Sequence, residues 1–196
     1  MKMKKILITI LITTVTNMAS ANAKNETATL AGGCFLCIES DFEKIDGVIS
    51  VTSGYTGGSE PNPTYEQVSS GATGHVEAVQ IVFDANIITY RRIMDKFWRS
   101  IDPLNARGQF CDIGPQYRSE VFYHNDEQKQ IAEETRRQID DSGVLPSKIV
   151  TKITEASPFY PAEEYHQNYY KKNPIRYKYY RYSCGRDKRV EELWGK

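Results

Sequence analysis

Three histidines and four cysteines are all that this 196-residue chain offers a transition metal. His75, His124 and His166 form no paired motif, and Cys111 and Cys184 stand alone in the sequence. A zinc centre needs a second ligand pair at suitable spacing, so no metal site is expected. Charge of one sign is also lacking. The 25 Lys and Arg against 25 Asp and Glu are mixed along the chain, which leaves no basic groove for nucleic acid. Internal repeats and low-complexity tracts are absent, which excludes a solenoid or a disordered array. The apolar run "ILITILITTV" (6–15) is too short to span a bilayer well.

That run is read instead as the centre of a secretory signal peptide over residues 1–23. It follows the basic "MKMKK" and precedes "ASANA", whose small-x-small ending places cleavage after Ala23. The mature chain, 24–196, is then one domain, periplasmic or secreted, with no membrane attachment. Losing Lys2, Lys4 and Lys5 turns the balance from 25 against 25 to 22 against 25, mildly acidic. In an oxidising compartment an even cysteine count suggests structural disulfides. A disulfide-stapled secreted module therefore stands as a non-enzymatic alternative.

The pattern predicts a strand at 27–31, a helix from about Cys34 to Lys44, and a strand opening "VISVTSGYTGG" (48–58). Phe35, Ile38, Phe42 and Ile45 give that helix one apolar stripe. A strand at 75–84, a helix over 88–101 stopped by Pro103, and a strand "EVFYH" (120–124) follow. Next come a helix from 126 to 141, capped by Asn125 with Gln128 in the capping-box position, and a strand over 148–156. One short helix is expected near "PAEEYHQNYY" (161–170), and coil after it. The order β-α-β-β-α-β suggests an α+β fold, a mixed sheet with helices on it.

"AGGCFLCIES" (31–40) places Cys34 after two glycines at the start of a helix and Cys37 one turn on. Unpaired N–H groups and the helix dipole there favour a thiolate, and the glycines leave room for a substrate. Such a C-x-x-C suits redox chemistry or half a zinc site. Glu77 shares its side of a strand with Val79, Ile81 and Phe83, so desolvation should raise its pKa and let it act as an acid. A strand-end residue reaching solvent or a basic partner is the other reading. Tyr65, Tyr117 and Tyr165 lie in loops beside turn-forming residues. A nucleophilic sulfur, a buried acid and phenol donors could together bind, protonate and reduce an X=O group, with no cofactor.

In this light the chain resembles the peptide methionine sulfoxide reductase A family. The resemblance runs through "GGCFLCIE" (32–39), "NPTYEQVSSGATGHVEAVQIVFD" (62–84), "QFCDIGPQYRSEVF" (109–122), "ITEASPFYPAEEYHQNYYKKNP" (153–174) and "YSCGRDKRVEELWG" (182–195). It implies a two-layer α+β sandwich with a ferredoxin-like core and a long C-terminal coil. It implies reduction of methionine-S-sulfoxide, free or in proteins, and one of two reductase types that divide the sulfoxide epimers. Cys34 then matches the nucleophile, Glu77 the proton donor, Tyr65 and Tyr117 the phenols that hold the oxygen, and Asp112 a polar pocket residue. Phe35 would line the pocket with Leu36, which stands where the family usually has a tryptophan. A second cysteine closes a disulfide that a thioredoxin-type dithiol reduces. Cys184 in the coil is the first choice for it, then Cys37, then Cys111, or a relay through two of them. The protein is expected to act as a monomer. A general dithiol-disulfide oxidoreductase using Cys34 and Cys37 is the enzymatic alternative, although the thioredoxin-like order around its C-x-x-C is missing.

Overall fold

The computed structural model describes residues 24–195, so the signal peptide and its cleavage point lie outside the described residues. Strand β1 (Asn25–Gly32) leads into helix α1 (Phe35–Phe42), and β2 (Val48–Thr56) follows. A short helix α2 (Tyr65–Ser69), strand β3 (Val76–Asp84) and helix α3 (Tyr90–Trp98) come next. A small hairpin of β4 (Gly108–Gln109) and β5 (Asp112–Ile113), then a 3-10 turn (Pro115–Tyr117), precede β6 (Ser119–Tyr123). Helix α4 (Asp126–Ser142) and strands β7 (Lys152–Glu155) and β8 (Tyr160–Pro161) complete the sheet. The chain continues in α5 (Tyr169–Lys172), α6 (Pro174–Cys184) and α7 (Arg186–Trp194).

The six-stranded sheet has the order β7-β6-β1-β3-β2-β8. Its central four strands are antiparallel, and with α1 and α3 they form the ferredoxin-like βαββαβ core that the resemblance implies. Strand β7 joins one edge in parallel to β6 and β8 joins the other antiparallel to β2, which makes the sheet mixed. Alternation sorts the side chains by face. Ala28, Leu30, Val79, Ile81 and Val121 enter the main core with Ile38, Phe42, Ile93, Phe97 and Trp98 from the helices. Ala31, Val76, Ala78 and Phe122 point to the opposite face, where Phe159 covers them.

Local signals explain most element ends. The Thr89 side chain caps α3, whose buried Tyr90, Ile93, Met94, Phe97 and Trp98 form one stripe. Trp98 Nε1 donates to Thr135 Oγ1 of α4 at 3.0 Å, so this large buried ring also has its polar atom satisfied. Asn125 caps α4 as the sequence predicts, but Gln128 reaches past the cap and accepts from His124 N–H at 3.0 Å.

The C-terminal region departs from the expected coil. Pro174 occupies the first turn of α6, and Gly185, at φ +70°, ends it and starts α7. Proline at a helix start and a left-handed glycine after its end are both available in the sequence. Tyrosine obscures the periodicity: Tyr177 is buried against Cys34 and Cys37, while Tyr179 and Tyr182 are exposed. The segment is fastened to the C-terminal half of α1 and the residue that follows it. Asn168 N–H donates to Glu39 at 2.9 Å, Tyr170 Oη to Glu43 at 2.6 Å, and Arg181 pairs with Asp41 at 2.7 Å.

Candidate active site

Glu77 ends an apolar row on β3. Val79, Ile81 and Phe83, on its side of the strand, are fully buried, and Glu77 itself is 2% exposed. Its Oε2 accepts from Phe35 N–H at 3.0 Å. Burial pushes this carboxyl from an ordinary 4.5 up to about 8, against the opposing pull of that hydrogen bond, and the charges of Asp112 and Cys37 add to the rise. At neutral pH Glu77 is therefore mostly protonated, the state in which it can donate.

Cys34 occupies the N-cap of α1, with Phe35 as the first helical residue. The sequence predicts a thiolate stabilised by the helix N-terminus; in the structure that charge falls on a hydrogen-bonded pair, Cys34 and Cys37. Glu77 takes the Phe35 N–H, and the Cys34 thiol is held well above its ordinary range. The causes are its hydrogen bond to Cys37, its burial and the charges of Cys37 and Glu77, with Tyr180 opposing them. Cys37 moves the other way, lowered by the bond from Cys34 and, despite burial, by the charges of Arg186 and Arg181. Cys34 and Cys37 thus form a hydrogen-bonded pair that shares one negative charge.

The two glycines also serve a different purpose from the one expected. A Cβ on Gly32 would stand 2.7 Å from Ile38 Cδ1, and one on Gly33 would stand 2.5 Å from Gln109 Cβ. Gly33 further has φ +79°. They make room for the protein's own packing rather than for substrate.

Cys34, Phe35, Leu36 and Glu77 open onto a cavity of about 370 Å³, into which Tyr65, Asp112 and Tyr117 also project. Of the residues singled out in the sequence as candidate site residues, Cys37, Cys111, Cys184, Tyr165, His75 and His124 do not line it. Tyr65 starts α2 behind a Thr64 capping box, and its N–H donates to Glu163 Oε1 at 2.9 Å. The other oxygen of Glu163 accepts from Tyr55 Oη at 2.8 Å, which ties α2 to the sheet. Tyr117 closes the 3-10 turn. Burial first, then the charge of Glu77, raises both phenols, so they stay protonated as donors. Asp112 is raised by burial and accepts from Tyr180 Oη at 2.6 Å.

Five further residues line this cavity: His166, Tyr169, Arg176, Tyr179 and Tyr180. His166 is 7% exposed, its ring lies 4.5 Å from Tyr65 and 5.1 Å from Phe35, and neither ring nitrogen has a hydrogen-bond partner. Weighing the histidines only as metal ligands hides it. Tyr180 follows Tyr177 by one helical turn on α6, a spacing visible only once that segment is read as helix. Tyr165 is 58% exposed and lies over His166.

Cys111 and Cys184 are joined in a disulfide across 73 residues, and Cys34 and Cys37 are free. Two free thiols rule out a fully stapled module. Cys184 is predicted to ride on a coil that can swing to the site. It is instead the last residue of α6 and already bonded, so its sulfur is not available as a thiol in this state.

Cys34, bonded to Cys37 behind it, together with a protonated carboxyl and two phenols around one cavity, marks a thiol-dependent oxidoreductase. The comparisons with known proteins agree and narrow the class. The model of the peptide methionine sulfoxide reductase family matches residues 26–196, and the chain belongs to that family. It is 52% identical over 176 residues to the peptide methionine sulfoxide reductase MsrA/MsrB of Vibrio cholerae, covering 90% of this chain and 47% of that protein. The chain thus spans about half the length of this relative. Against the MsrA of Bacillus licheniformis it is 50% identical over 173 residues, covering 88% of this chain and 96% of that one. Among solved structures, methionine sulfoxide reductase A of Corynebacterium diphtheriae superposes with a TM-score of 0.69 at 31% identity, over 77% of this chain and 76% of that chain.

Proposed function

We propose that the protein reduces the S epimer of methionine sulfoxide, free or in proteins, with Cys34 as nucleophile. The observation that carries this is the placement of a protonated Glu77 at the base of the helix that Cys34 caps, both facing one cavity. The Cys34 sulfur attacks the sulfoxide sulfur and passes its proton to Cys37. Glu77 protonates the oxygen, which Tyr65 and Tyr117 hold by hydrogen bonds. Methionine leaves and Cys34 carries the oxygen as sulfenic acid. A second thiol then attacks Cys34, forms an S–S bond and releases water.

Cys37 is the thiol best placed for that attack, being free and in hydrogen-bond contact with Cys34. Cys184 and Cys111 serve as the outer pair of a relay. Cys111 is exposed, and a thioredoxin-type dithiol meets the disulfide there, so no bound cofactor is needed. We further propose export and action as a monomer. The signal-peptide pattern of residues 1–23 and a disulfide at an exposed site support an oxidising compartment. The test is turnover of each epimer with dithiothreitol, beside a Cys34→Ser variant. Reduction of the R epimer alone, or undiminished activity in the variant, overturns the proposal.

A further inference from the structure

Arg186 is among the largest fully buried side chains, at 1% exposure, and it is the first residue of α7. Both features work against a cation. Burial removes its hydration, and the positive end of a helix repels it. Its hydrogen bonds go to main-chain carbonyls, Nη1 to Ser100 O at 3.0 Å and Nη2 to Gly32 O at 2.8 Å. Its plane lies 4.3 Å from the centre of the Phe110 ring. Carbonyls and a ring face carry only partial charge, so a full positive charge remains in the interior two residues before Cys34.

Arg181, the other cation near the thiols, differs in kind. It lies between Asp41 at 2.7 Å and Asp187 at 2.6 Å, and these carboxylates neutralise it. The acidic groups facing the sulfurs are Glu77 on β3, Asp41 on α1, Asp112 on β5, and the phenols Tyr177 and Tyr180 on α6. Each of them opposes a second negative charge or contributes none to offset one. Arg176 of α6 also lines the cavity beside Cys34 but is exposed to solvent, so Arg186 is the buried cation here; Asp112 and Asp187 feel its charge, and among the described residues no ion pair holds it.

We propose that the Arg186 guanidinium is the fixed counter-charge that holds one thiolate on the Cys34–Cys37 pair at neutral pH. It acts through the pair and is a positioning residue. Its fork grips the carbonyl that leads into the Cys34 turn, so charge and geometry are delivered by one side chain. It also seats the segment carrying Cys184, two residues away, against the same turn. This deepens the reading of Cys34 as nucleophile and rests on it.

The test is a pH titration of thiolate ultraviolet absorbance in the full chain without substrate, which keeps it separate from the activity assay. With Cys111 and Cys184 joined, only Cys34 and Cys37 titrate as thiols. Arg186→Gln keeps donors for the two carbonyls and removes the charge. Its first midpoint should rise by about one pH unit, a tenfold loss of thiolate at a given pH, and the pH profile of turnover should move with it. Arg186→Lys keeps the charge and should restore most of the wild-type midpoint. An unmoved midpoint in a folded Arg186→Gln protein overturns the proposal. So does an Arg186→Lys midpoint raised by about a full unit, which can be read even if the glutamine variant does not fold.

Discussion

The Glu77→Gln substitution keeps the length of the side chain and an oxygen to accept from Phe35 N–H, 3.0 Å from the native Oε2. What it removes is the ability to ionise. In the folded protein the carboxyl titrates at about 8, against 4.5 ordinarily, because burial destabilises its charged form. A raised acid contributes its stability fully below about pH 4.5 and loses it as pH rises towards about 8. At pH 5 the wild type has lost about 1 kcal/mol on this account, and at pH 7 about 3 kcal/mol. The glutamine variant does not titrate, so relative to wild type it should gain about 2 kcal/mol between those two pH values. Urea unfolding of both proteins at pH 5 and pH 7 measures this, and the other titrating groups are common to both and cancel. Activity should move the opposite way, with the single-turnover reduction slowed by roughly a hundredfold or more for loss of the proton donor. A stability difference that is the same at both pH values would mean Glu77 is ionised in the folded state. It would then be unable to donate, and the reasoning would fail.

Three more outcomes follow from the same geometry. Mapping the disulfide after one turnover without reductant, starting from fully reduced protein, should find Cys34 joined to Cys37 before any bond reaches Cys184. Direct Cys34–Cys184 capture would refute that order. Leu36→Trp should lower KM by on the order of threefold, at little change in kcat, by burying more of the substrate methyl group; a raised KM would show that the cavity has no room for the ring. Gly33→Ala should cost about 2 kcal/mol or more in thermal unfolding, because φ is +79° and the new Cβ would meet Gln109 at 2.5 Å. Wild-type stability in that variant would contradict the packing described.

Much of the core was open to reading because its signals are local. The apolar stripe of α3, the Asn125 cap of α4 and the alternation around Glu77 each depend on residues a few positions apart. Glu77 was half legible for the same reason: its row with Val79, Ile81 and Phe83 pointed to desolvation beside a solvent-reaching alternative, and the fold decides for burial. The state of Cys34 was not legible. Helix-terminal position argues for a thiolate, and only the fold shows that Glu77, 42 residues from Phe35 in sequence, takes the first N–H of that helix. The Cys111–Cys184 pairing and the role of Arg186 are equally non-local. The helices of the C-terminal region were hidden by composition rather than distance, because tyrosine serves buried and exposed positions alike and blurs the period.

The Cys111–Cys184 bond closes a loop of 73 residues that holds β6, α4, β7, β8, α5 and α6. In the chain-entropy description, closing a loop of that size disfavours the unfolded chain by about 4 kcal/mol. Reduction by an external dithiol removes that constraint, and reoxidation restores it. The protein is thus sturdiest when its outer cysteines are oxidised and easiest to unfold when they are freshly reduced, so its susceptibility to heat and proteases tracks the supply of reductant around it.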